Sequence, residues 1–241
     1  MCLARIGEHL GLQPLLVHGG HLGRAENRTM VRVLRIPLRQ VERHRLRHLA
    51  TDRYALVDTQ PGTGNNSFPE GRRAHVVLDH HGRQRGLDAD FVDVRPDEGC
   101  CTTLLLDYLR AFGLEPDSTL STAAAYAILS ETQDLKREAT RRDREAWQYL
   151  APKLRQPLLG RIRHPARSRE YYRTISRALQ RTEIGRHTVI CHAGEVPYAE
   201  VVAEVADFLV AMDRISWCLV SGRYGDRMIL SLRTTDPRGG A

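Results

Sequence analysis

Lysine is nearly missing from this chain: of 36 basic residues only Lys136 and Lys153 are lysines. Such a skew more often reflects a GC-rich genome than a binding role, so the net charge of +7 does not by itself indicate nucleic acid. Cysteine is sparse as well. Its five residues, Cys2, Cys100, Cys101, Cys191 and Cys218, are odd in number and never spaced Cys-x-x-Cys, which excludes a disulfide framework or zinc knuckle and suits a reducing compartment. Long apolar runs are lacking too, since 203–212 and 215–220 are broken by charge or fall far short of the roughly 20 residues that cross a bilayer. The N-terminus has no basic segment leading into an unbroken apolar stretch, so no signal peptide and no membrane partner are expected, and the localisation expected is cytoplasmic. What is present, 41% hydrophobic and 27% charged residues with a mean hydropathy of −0.41, describes a folded globular protein and excludes disorder or a collagen-like repeat. The length of 241 residues accommodates one generous domain or two modest ones.

The charge is unevenly placed. Residues 1–135 carry 16 basic against 17 acidic groups, residues 136–181 carry 14 against 4, and residues 182–241 carry 6 against 8. The whole excess lies in one stretch, punctuated by Pro152, Pro157 and Pro165 and helical in its apolar spacing over 138–150 and 165–181. Two readings stay open for it: solvated helix faces in a connector, or a wall that attracts a polyanionic substrate.

Apolar strand-like runs alternate with helical stretches through residue 135. Strands are expected at 14–17, 54–57, 75–78 and 91–94, and helices at 26–34, 104–112 and 122–129. Nearly continuous apolar strands between helices indicate a parallel sheet covered on both faces. Beyond the basic stretch the pattern becomes strand (188–191), helix (198–212) and two strands (216–221 and 227–232) joined across 222–226. The fold class expected is α/β: a mostly parallel doubly wound sheet domain, a helical connector and a smaller C-terminal α/β domain. The domains expected are 1–135, 136–184 and 185–241.

Ligands of an open parallel sheet gather beyond the carboxyl ends of its strands. Asp58 ends one such run and Asp79-His80-His81 another, which brings carboxylate and imidazole groups to one rim, a donor set suited to manganese or a similar divalent ion. A lone strand-end Asp is usually a turn residue, but three adjacent polar groups directly after an apolar strand need partners. The Gly/Asn-rich loop 60–66, with Asn65 and Asn66, reads as a turn that could also hold a phosphate. Ser130-Glu131-Thr132-Gln133-Asp134 adds two carboxylates, as ligands or as helix-end residues. His18-Gly19-Gly20-His21 fixes no ligand geometry, and Cys100-Cys101 reads as the packed start of a helix.

Val76-Val77-Leu78-Asp79-His80-His81 resembles the signature of the DHH phosphoesterase superfamily. Leu56-Val57-Asp58-Thr59-Gln60-Pro61 resembles that family's second motif, and Ser130-Glu131-Thr132 stands where a Thr/Ser-Asp-Thr motif is usual. Ser231-Leu232-Arg233 with Arg238-Gly239-Gly240 resembles the end of the DHH-associated domain. The resemblance covers nearly the whole chain and implies a two-manganese hydrolase of short oligonucleotides or small nucleotides, with its site in a cleft between domains. By that resemblance Asp58, His80 and Glu131 are metal ligands, Asp79 orients the imidazoles and His81 contacts the scissile phosphate. Asn65, Asn66, Arg233, Gly239 and Gly240 would bind substrate. A homodimer is compatible with it.

Three departures qualify what the resemblance implies. The first family motif, closely spaced aspartates after an opening strand, has no counterpart, because Met1 already lies in the helix that should follow it. Glu131 stands in place of Asp, with Asp134 as a substitute ligand or a helix-end residue. Gly239-Gly240-Ala241 stops inside a segment that normally continues. Both ends are therefore expected to be shortened, and the alternative to an enzyme is a catalytically impaired homologue that binds nucleotides or regulates.

Overall fold

A computed structural model describes residues 1–20, 22–46, 51, 53–136 and 138–236. The fold is mixed α/β, as the alternation of apolar runs requires, and it divides into two compact units, residues 1–20 with 29–164 and residues 21–28 with 165–241. Among the described residues no helix is long and apolar enough to cross a membrane.

In the first unit, α1 (Cys2–His9) precedes β1 (Val17–His18), which pairs in parallel with β2 (Arg39–Gln40). Between them runs α2 (Ala25–Val33), whose residues 25–28 belong to the second unit and 29–33 to the first, and α3 (Arg43–Leu46) follows. The main sheet has the order β3 (Ala55–Val57), β4 (Ala74–Asp79), β5 (Ala89–Val94), all parallel. Central β4 buries Ala74, Val77 and Leu78, which is why its sequence is a continuous apolar run rather than an alternating one. Four helices complete the unit: α4 (Cys101–Ala111), α5 (Ser118–Glu131), α6 (Arg141–Leu150) and α7 (Gln156–Arg163). Leu78 packs with Leu104, Leu106, Leu109, Ile128 and Leu150 in the main core. Helix α5 is apolar nearly all round and correspondingly buried. Its N-terminus is capped by Asp117, whose Oδ1 accepts from the Thr119 and Leu120 amides at 3.0 and 2.9 Å.

The second unit contains α8 (Arg169–Gln180), β6 (Thr182–Ile184), β7 (Thr188–Glu195), α9 (Glu200–Leu209), β8 (Trp217–Tyr224) and β9 (Arg227–Thr234). Strands run in the order β6-β7-β8-β9, with β7 and β8 parallel and the outer pairs antiparallel. The parallel pair needs a crossover, and α9 supplies it, burying Val201, Val205 and Leu209 against Val189, Cys191 and Val220.

The boundary between the units falls inside the stretch read as a connector. Helices α6 and α7 fold with the first unit and α8 with the second. Apolar packing sorts them, Ala146, Leu150, Leu159 and Ile162 into the first unit's cores and Ala178 into the second's, and the ion pairs follow: Arg142 and Arg163 meet Glu98 and Asp134 of the first unit, whereas Arg167 meets Glu26 and Glu204 of the second. Two helices also start later than their periodicity suggests, at the caps Thr140 and Ser168, because a side-chain oxygen that accepts an amide proton sets the start. The last two strands reach Tyr224 and Arg227, so the expected five-residue connection shrinks to Gly225-Asp226, with Gly225 at φ +59° as a tight hairpin requires.

Candidate metal centre

Parallel register builds the site. Val57 pairs with Leu78, so Asp58, which follows β3, and Asp79, which ends β4, emerge side by side at the carboxyl edge of the sheet. The Asp58 amide donates to the Leu78 carbonyl at 2.9 Å, and the chain then leaves the pleat at φ +63°. Aspartate tolerates this left-handed conformation better than most residues, at a strain of about 1 kcal/mol.

Asp79 is buried and fully used. Its Oδ1 accepts from the His80 amide at 2.8 Å and from His81 Nδ1 at 2.8 Å, and its Oδ2 accepts from Gln60 Nε2 at 2.7 Å. Burial pushes this carboxyl up, but the hydrogen bonds from His81, Gln60 and the two backbone amides outweigh it and hold the group below the usual carboxylate range. A carboxylate accepts only, so His81 Nδ1 carries the proton of that bond, and Nε2 of the half-exposed ring is the nitrogen the bond leaves uncommitted.

His80 is fixed from the other side. Its Nδ1 lies 3.0 Å from the Glu98 carbonyl, which can only accept, so Nδ1–H donates there and Nε2 is the nitrogen left to face the cluster. That Nε2 is buried and has no hydrogen-bond partner. It faces Asp58 Oδ1 at 3.2 Å and Glu131 Oε1 at 3.9 Å, near enough for attraction but without the alignment of an N–H bond. Burial opposes charge on this ring, but Asp58, the Glu98 carbonyl and Glu131 outweigh it and lift the imidazole pKa to about 9. A ring nitrogen that faces two carboxylates calls for a positive charge there, either a proton on Nε2 or a cation bound to it. Ligand atoms of Asp58, His80 and His81 all lie within 4.8 Å of one another, and among the described residues this is the one cluster of its kind.

Glu131, the last residue of α5, stands at the margin of this cluster. Beyond it Gln133, Asp134 and Leu135 all have positive φ, and this left-handed turn sends Asp134 to Arg163 at 2.7 Å. Of the two acidic residues weighed there, Glu131 faces His80 and Asp134 forms an ion pair elsewhere. Asn65 and Asn66 are committed to their own loop. Asn66 Nδ2 donates to Thr59 Oγ1 and the Gln60 carbonyl, both at 2.8 Å, and Asn65 Oδ1 accepts from Thr59 Oγ1 at 2.7 Å. Arg233, in the second unit, pairs with Asp207 at 2.5 Å. Gly239 and Gly240 lie outside the described residues, as does His21 of the discounted histidine pair. Cys100 and Cys101 start α4 as buried thiols, Cys100 Sγ accepting from the Thr102 amide and Cys101 Sγ donating to the Leu78 carbonyl.

Sequence reading did not single out Gln60 or Glu98. Gln60 is completely buried, and its amide ties Asp79 to the Gly82 carbonyl and the Gln84 amide. Its signal was its place two residues after Asp58 in an otherwise solvated loop. Glu98 acts through its backbone, which no residue type reveals.

No family model matches this sequence. Over 240 residues, 99% of the chain, it is 30% identical to a Methanocaldococcus jannaschii protein described as "Uncharacterized protein MJ1633". The chain spans about half, 49%, of that curated relative's length. Among solved structures it is similar to an exopolyphosphatase-related protein from Bacteroides fragilis, with a TM-score of 0.64 over 92% of this chain and 78% of that one. At 10% identity that likeness is one of fold.

Proposed function

We propose that the chain is a metal-dependent phosphoesterase of the DHH type that hydrolyses phosphodiester or phosphomonoester bonds of short oligonucleotides or small nucleotides. The observation that carries this reading is the buried, unpartnered Nε2 of His80 facing two carboxylates. Imidazole nitrogen with carboxylate oxygen fits manganese, and Asp58, His80 and Glu131 would hold it, with His81 beside them. Such an ion supplies Lewis acidity toward a phosphoryl oxygen and acidifies bound water. The chain's own residues do the positioning. Asp79 fixes the His81 ring by its Nδ1, which would leave the other nitrogen to contact the scissile phosphate, and the Glu98 carbonyl fixes His80. A phosphate clamp at Arg233 requires that guanidinium to leave Asp207. The exopolyphosphatase-related fold neighbour supports phosphate ester or anhydride chemistry in general.

The test is incubation with manganese and a panel of pApA, cyclic di-AMP, adenosine bisphosphate, pyrophosphate and polyphosphate. Hydrolysis abolished by Asp58→Asn and by His80→Ala is expected. Turnover untouched by both changes would overturn the site. Nucleotide binding with no turnover of any compound would identify the impaired, regulatory homologue instead.

A further inference from the structure

His80 is held by a carbonyl, and that carbonyl is itself held. Residues 95–100 cross from β5 to α4 without regular structure, so nothing in a strand or helix ladder fixes the Glu98 peptide. Two consecutive residues in the first turn of α6 grip it instead. Arg142 Nε meets Glu98 Oε1 at 2.5 Å, and Asp143 Oδ2 accepts from the Gly99 amide at 3.1 Å. Arg142 is fixed on its far side by Asp107 of α4, and Asp143 by Thr103 of α4 and by its capping box with Thr140. The approach is close enough to require glycine: a Cβ on Gly99 would lie 2.4 Å from the Glu138 carbonyl oxygen and 2.5 Å from Asp143 Oδ2. The second oxygen of Glu98 is buried with no partner. Burying a carboxylate this way costs stability that a neutral side chain would avoid, which sets Glu98 apart from ordinary surface ion pairing.

We propose that Arg142 and Glu98 are positioning residues for the metal centre: their ion pair, with the Asp143 hydrogen bond to Gly99, aims the Glu98 carbonyl at His80 Nδ1 and so turns Nε2 toward Asp58 and Glu131. This rests on the reading of His80 as a metal ligand, and it extends the site to a helix 44 residues along the chain from the segment it grips. Partners that orient a ligating histidine typically change metal affinity by about 10- to 100-fold when lost.

Two readouts on the full chain test it. The first needs no metal: His80 Nδ1–H, bonded to the carbonyl, should appear in ¹H–¹⁵N spectra as an imidazole proton protected from exchange with water. In Arg142→Met that signal should broaden or vanish while the β4 amides stay protected. The second is manganese titration, in which Arg142→Met should weaken binding about 10-fold, Arg142→Lys should recover most of it and Arg141→Met, on the same helix turn but paired with Glu145, should change it less than twofold. If Arg142→Met does not fold, Glu98→Gln removes the ion pair with little change of shape and should move both readouts the same way. Native Nδ1–H protection in Arg142→Met or Glu98→Gln would overturn the proposal. A wild-type chain that binds no manganese would overturn the metal reading, and the proton signal alone would then decide whether the clamp orients the ring.

Discussion

Asp143 is a buried carboxylate that accepts four hydrogen bonds, and removing it makes a graded prediction. It is completely buried. Its Oδ2 accepts from the Thr140 amide (2.8 Å), the Thr140 hydroxyl (2.7 Å) and the Gly99 amide (3.1 Å), while its Oδ1 accepts from the Thr103 hydroxyl. In Asp143→Ala two backbone amides lose their acceptor, each costing about 1–3 kcal/mol, so the expected loss is about 4 kcal/mol. Asp143→Asn should cost far less. If its amide oxygen takes the Oδ2 position, three donors keep an acceptor, and the Thr103 hydroxyl can rotate to accept from the new NH₂ group. What goes is the charge assistance, about 1.5 kcal/mol. Each unit contains one tryptophan, Trp147 on α6 and Trp217 on β8. In a Trp217→Phe background, Trp147 fluorescence through a urea titration therefore reports the first unit, and a shifted midpoint at constant slope gives the stability change. Equal losses for Ala and Asn, or a loss below about 1 kcal/mol for Ala, would refute the reasoning.

Further outcomes follow from neighbouring features. Gly99→Ala should lower the stability of the first unit by about 1–3 kcal/mol, because its Cβ meets a carbonyl oxygen and a carboxylate oxygen at under 3 Å; a native urea midpoint would contradict the close approach. Asp58→Gly should be more stable than Asp58→Ala by about 1 kcal/mol, since both remove the carboxylate and only alanine pays for the left-handed backbone; equal melting temperatures would argue against the strain. Burial raises the Asp93 carboxyl, but hydrogen bonds from Arg95 and Tyr108 outweigh it and hold it below the usual range. Its contribution is therefore present above the unfolded value of about 3.9 and lost as pH falls through the lower folded value. Urea midpoints measured across that acid range should fall less steeply in Asp93→Asn than in the wild type, and identical slopes would sink the assignment.

The sheet and its polar rim were legible because they depend on local pattern. A continuous apolar run that ends in Asp79-His80-His81 had to be a buried strand with its polar groups at the carboxyl edge, and Asp58 followed from the same logic. The short strand β6 was missed, since three residues with an exposed Glu183 and Ile184 carry no periodicity. The connector was harder still. Formal charge summed along the chain is blind to which carboxylates the arginines meet, and Arg142, Arg163 and Arg167 meet partners far away in sequence. Glu98 stayed hidden for a related reason. Its contribution to His80 is a backbone carbonyl, and its anchor lies on a helix more than 40 residues on. Of the two acidic residues at the end of α5 and just beyond it, sequence left undecided which would face the histidines. Three consecutive left-handed residues settle where Asp134 points, and no propensity for such a turn is visible in Gln133-Asp134-Leu135.

The central claim is that the unpartnered nitrogen of His80 and the carboxylates it faces form a cation site. Isothermal titration of the full chain with manganese tests it most directly, run alongside Asp58→Asn and His80→Ala. The account predicts saturable binding in the wild type, at least tenfold weaker in either variant, with both variants folded. Manganese binding that is equally tight in all three proteins would contradict it.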